Sequence, residues 1–112
     1  MEINTKQDSG ITVISPVGRI DTSTAKNFEE GIQKIISNSS SVIISFASVD
    51  YISSAGLRVI LMTGKKIASN KGLLALTDMP IKIYEVFKMS GFDKILKIYP
   101  TFAEAKPYFE VH

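Results

Sequence analysis

Apolar residues change their spacing several times along this chain, and each change marks an element. In Ile11-Thr12-Val13-Ile14-Ser15 they fall nearly on alternate positions, the period of a half-buried strand. With a second extended stretch over 2–7, this predicts a hairpin turning at Asp8-Ser9-Gly10. Pro16 and Gly18 end the second strand, placed at 11–17. Asp21-Thr22-Ser23-Thr24 supplies several helix N-caps, and Phe28, Ile32, Ile35 and Ile36 follow at helical spacing. An amphipathic helix is expected over roughly 23–37, ended by Asn38-Ser39-Ser40-Ser41. Val42-Ile43-Ile44-Ser45-Phe46 is short, β-branched and almost wholly apolar, as a strand covered on both faces should be.

A serine-containing loop follows, then a helix over about 54–69 with Leu57, Ile60, Leu61, Gly64 and Ala68 on one stripe, Gly64 permitting close packing. Asn70-Lys71-Gly72 stops it, and Leu73-Leu74-Ala75-Leu76-Thr77 is a further buried strand. Pro80 suits the first position of a third helix with Ile83, Val86 and Phe87 inward and Gly91 at its end. Ile95 to Tyr99 reads as a short strand or extended segment. Thr101-Phe102-Ala103-Glu104 has capping-box form, opening a helix that Pro107 should shorten or kink. The order β-β-α-β-α-β-α-(β)-α predicts an α/β fold: a mixed four- to five-stranded sheet with about four flanking helices and right-handed crossovers between parallel strands.

The chain has 112 residues, 45% of them hydrophobic, which suits one domain over 1–112. No stretch reaches the ~18 apolar residues of a membrane span, so no membrane insertion is expected. The start, Met1-Glu2-Ile3-Asn4-Thr5-Lys6, lacks the pattern of a signal peptide, and cysteine is absent, which removes disulfides and thiolate metal sites. A cytoplasmic setting is the expectation. Net charge is +2 but uneven: residues 1–56 hold four Lys/Arg against six Asp/Glu, and 57–112 hold nine against five. The lysines are scattered without a tight cluster, which argues for a solvated surface and against direct nucleic-acid binding.

The most informative stretch is Asp50-Tyr51-Ile52-Ser53-Ser54-Ala55-Gly56-Leu57-Arg58. A serine at a helix N-terminus lies among backbone N–H groups without intrahelical partners, where about half a positive charge gathers. Such a serine is most simply an N-cap. The open surroundings, Ala55 and Gly56, also suit a hydroxyl that another enzyme phosphorylates. The one histidine, His112, is the last residue, so a Ser-His-Asp triad would rest on a terminal side chain and no catalytic residues are assigned. Gly18-Arg19-Ile20-Asp21 reads as a turn leading to a cap, with Asp21 able to lie beside the serine loop. Met89-Ser90-Gly91-Phe92 reads as a helix C-terminus. Asp8, Asp50, Asp78 and Asp93 sit at turns, and no phosphate-binding glycine loop occurs, so no metal or cofactor is expected.

Residues 49–61, with Gly18-Arg19-Ile20-Asp21 and Met89-Ser90-Gly91-Phe92-Asp93-Lys94-Ile95, resemble in order the three motifs of the STAS domain, with the likeness strongest to bacterial anti-sigma factor antagonists. The resemblance implies a non-enzymatic partner switch. The unphosphorylated protein would bind a serine kinase that doubles as an anti-sigma factor, and phosphorylation would release it. A PP2C-type phosphatase would reset the switch. The implied acceptor is Ser54, with Ser53 as second candidate. The implied docking residues are Asp21, Thr22, Ser53, Ser54, Ala55, Gly56, Leu57 and Arg58. Two positions depart from the family pattern: Ser53 and Ser45 stand where antagonists often carry aspartate, so two local negative charges are missing. Two other readings use the same residues. One is an interaction module of a transport or sensing assembly without a serine switch. The other is a nucleotide-binding protein using the same helix end.

Overall fold

A computed structural model describes residues 1–110. The hairpin forms from β1 (Ile3–Asp8) and β2 (Ile11–Pro16), paired antiparallel with Asp8 opposite Ile11. Its two-residue turn, Ser9-Gly10, has φ of 55° and 79°. Both lie in the left-handed region that such turns need to match the strand twist. Three more strands join side by side in parallel, β4 (Ser41–Ser45), β6 (Leu73–Thr77) and β7 (Lys97–Tyr99), giving the order β1-β2-β4-β6-β7. The expected α/β architecture with a mixed five-stranded sheet is therefore present.

Strand periodicity sorts the core onto two faces. Ile14, Val42, Ile44, Leu74 and Leu76 pack on one side with Phe28, Ile32, Ile60, Ile67, Ile83 and Phe87. These come from α1 (Ala25–Ile36), α2 (Ser54–Ser69) and α3 (Ile81–Ser90). Ile11, Val13, Ile43 and Ala75 face the other way and meet Ala105 of α4 (Phe102–Glu110). Gly91, at φ 82°, ends α3, and a single 3-10 turn at Phe92–Lys94 leads to β7.

Two expectations need correction. Gly18 to Ile20, read as a turn, forms a strand, β3 (Gly18–Ile20), which pairs in parallel with β5 (Val49–Ile52) as a separate two-stranded sheet. Neither strand was expected, because each is only three or four residues long. On α2 the buried stripe is Gly56, Leu57, Val59, Ile60, Thr63 and Ile67. Leu61 and Gly64 lie at its margin and Ala68 is exposed, although Gly64 does admit Leu96, whose Cδ2 would lie 3.3 Å from an added Cβ. The last helix, α4, is short as expected, nine residues that run through Pro107 to Glu110. Thr101 caps it as expected, its Oγ1 accepting from the Glu104 amide at 3.1 Å.

Candidate functional site

The small β3–β5 sheet positions the serine loop. Arg19 is registered with Tyr51 and Ile20 with Ile52. Beyond them the Ser53 amide donates to the Ile20 carbonyl at 2.8 Å, which sets Asp21 alongside Ser53. Ile20 and Ile52 are almost wholly buried and anchor this end of the sheet in the core. Gly56 lies against the same pair: a Cβ there would come within 2.7 Å of Ile20 Cγ2 and 2.8 Å of Ile52 Cγ1. The first turn of α2 therefore rests directly on the two strands.

The two serines divide their tasks. Ser53 is the N-cap of α2, in extended conformation, and its Oγ accepts from the Gly56 amide at 3.3 Å. Ser54 is the first residue of the helix and is exposed. Its position leaves the hydroxyl at the helix's positive end without the capping task. Ala55 is half-buried, Gly56 is buried and Leu57 is 8% exposed. These last two support the loop from beneath. Arg58 is exposed one turn after Ser54, and Thr22 is exposed beside Asp21.

Asp21 organises the loop before α1. Its Oδ1 accepts from the Ser23 hydroxyl at 2.7 Å, the Ser23 amide at 3.0 Å and the Thr24 amide at 3.2 Å. The Asp21 amide in turn donates to Thr24 Oγ1 at 2.9 Å, an exchange of the capping-box kind. The Ser23 hydroxyl above all, with those amides, holds the Asp21 carboxyl below its ordinary range, against an opposing push from partial burial. Among the described residues Oδ2 meets only Arg19, whose Nε donates at 3.4 Å. The same guanidinium lies 4.3 Å from the Tyr51 ring centre. Arg19 was expected to be a simple turn residue, and Tyr51 was not singled out. The alternation of Arg19, Ile20 and Asp21, matched by Tyr51, Ile52 and Ser53, was the signal that these side chains share a face.

Ser45 also acquires a carboxylate neighbour. Its hydroxyl donates to Asp78 Oδ2 at 3.3 Å, and the buried Thr77 hydroxyl donates to the same oxygen at 2.7 Å. Asp78 sits just past β6 with φ 58°, a conformation aspartate tolerates better than most residues. A negative charge absent from β4 thus reaches the same place from the neighbouring strand. Among the described residues no three His, Cys, Asp or Glu side chains gather as metal ligands, and no helix is long and apolar enough to cross a membrane. His112 lies outside the described residues.

The fold, and part of the sequence, is shared with known proteins. BtrV of Bordetella bronchiseptica, a candidate anti-sigma factor antagonist, is 31% identical over 102 residues, covering 90% of this chain and 85% of its own length. A candidate anti-sigma factor antagonist from Thermotoga maritima superposes with a TM-score of 0.90 at 24% identity, over 96% of this chain and 94% of that one. The phosphorylated form of the Bacillus cell-fate determinant SpoIIAA has the same fold at a TM-score of 0.69 and 18% identity, covering 96% and 98% of the two chains. The family profile described as the STAS domain matches residues 2–105, which contain the serine loop, Asp21 and the 89–95 segment, and the chain belongs to that family.

Proposed function

We propose that this chain is an anti-sigma factor antagonist that works by partner switching. In its unphosphorylated state it binds a serine kinase that is also an anti-sigma factor, using the surface of Asp21, Thr22, Ser54 and Arg58. The kinase phosphorylates Ser54 and the complex dissociates, and a PP2C-type phosphatase restores the binding form. The chain itself catalyses nothing in this cycle. The observation that carries the reading is the division between the serines: Ser53 is used as a cap while Ser54 stands exposed at the first helical position. The likeness to BtrV and to a protein whose structure is known in a phosphorylated form supports it.

The physical logic is local. Phosphorylation adds about −1.5 to −2 charges and three acceptor oxygens. The helix end accommodates that group while it faces water, so the fold need not change. Inside an interface the group must be desolvated, and an unpaired buried charge costs several kcal/mol. With tenfold in affinity for every ~1.4 kcal/mol, that is enough to separate the partners.

The test has two parts. Phosphopeptide mass spectrometry of protein purified from its own cells should place phosphate on Ser54. By calorimetry, Ser54→Ala should bind the cognate kinase as the wild type does and accept no phosphate from it. Ser54→Asp should bind at least tenfold more weakly, with an unchanged circular dichroism spectrum. Equal affinity of Ser54→Asp, or phosphate found only elsewhere, overturns the proposal.

A further inference from the structure

The chain has two arginines, and they are placed differently. Arg19 is engaged, paired with Asp21 and stacked on Tyr51. Arg58 is exposed and makes no hydrogen bond, ion pair or ring contact among the described residues. It stands four residues after Ser54 on the same helix. Residues four apart lie one above the other, with Cβ atoms about 5–6 Å apart. Helical side chains lean toward the N-terminus, so Arg58 can reach the turn that carries Ser54. An anion N-terminal to a cation at this spacing is also the favoured orientation. The planar guanidinium can give two parallel N–H bonds to a phosphate, which a point charge cannot.

We propose that Arg58 is the positioning residue for the phosphate on Ser54: it is uncommitted in the unphosphorylated protein and folds back to clamp the phosphoserine from one turn away. This rests on the reading of Ser54 as the phosphorylated residue. The clamp removes a cation from the docking surface at the moment the phosphate adds negative charge. A partner that engages free Arg58 therefore meets two changes from one modification.

Ionisation of the phosphate reports the clamp directly, because a paired guanidinium favours the dianion and lowers the second pKa from its ordinary value of about 6. Phosphoserine can be encoded at position 54 during translation, without any kinase, and its titration followed by phosphorus NMR at physiological salt. Arg58→Gln should raise the proton affinity of the phosphate about threefold, and Arg58→Lys should fall between it and the wild type. Lys65→Gln removes the same charge about 16 Å from Ser54 along the helix axis. This lies beyond the ~8 Å screening length and should change nothing. An Arg58→Gln shift no larger than that of Lys65→Gln overturns the clamp. That result would leave kinase binding by the unphosphorylated protein untouched. Conversely, a phosphoserine that fails to weaken the kinase complex overturns the switch while the titration still reports the clamp.

Discussion

Gly56 shows how tightly the serine loop is constrained at the level of single atoms. Alanine is the better helix former by about 1 kcal/mol, so on propensity alone Gly56→Ala should stabilise α2. Its Cβ would instead come within 2.7 Å of Ile20 Cγ2, 2.8 Å of Ile52 Cγ1 and 3.1 Å of the Ile20 carbonyl oxygen. Neither isoleucine atom is the free end of a long chain, and both residues are anchored in the core. Overpacking of this kind costs roughly 1–3 kcal/mol or more, so the clash wins. Gly56→Ala should lower stability by about 1–2 kcal/mol in urea denaturation, and an increase of about 1 kcal/mol would show that the loop yields freely. At this scale the sequence was only partly legible. The pair Ser53-Ser54 pointed to a helix start, but which hydroxyl caps the helix depended on where β5 ends, and that is set by the Ser53 amide reaching Ile20.

Among the elements, the long periodic ones could be read from the chain and the short ones could not. The bounds of α2 and β6 follow from apolar spacing, a capping serine and the stop at Asn70-Lys71-Gly72, all local signals. Strands β3 and β5 exist only because they pair with each other across about thirty intervening residues, a contact invisible to local pattern. Leu61 and Ala68 were put on the inward stripe of α2 because apolarity does not fix which side of a helix faces the core. Pro107 makes a prediction of its own. It is exposed within the nine-residue α4, so little packing depends on its ring. An interior helical proline costs ~3 kcal/mol in lost bonding and crowding. Its restriction of the unfolded chain returns only about 0.4–1 kcal/mol. Pro107→Ala should therefore stabilise the domain by about 2 kcal/mol, seen as a higher urea midpoint with an unchanged slope. A lower midpoint would mean that the ring itself supports the aromatic packing of Tyr99, Phe102, Tyr108 and Phe109 on that face.

For the molecule as a whole, the placement of the serine loop determines how far a phosphate can act. The loop is carried by the small sheet and the first turn of α2, while α4 covers the opposite face of the main sheet through a separate apolar cluster. With a Cα radius of gyration of 12.7 Å, the chain is about as compact as its length allows, and a close-packed core of this kind is strained only by groups that press into it. Phosphate on Ser54 would move the net charge from +2 to about zero without placing a new group in that core. Amide NMR shifts on encoding phosphoserine at position 54 should therefore concentrate in 18–24 and 50–60. The hairpin turn at Ser9-Gly10, β7 and α4 should hardly move, and the radius of gyration in solution should stay constant. The affinity change would then arise entirely at the surface, from charge and desolvation. Shift changes spreading through α4, or a larger radius, would instead show that phosphorylation acts by remodelling the domain, and the electrostatic account of release would fail with them.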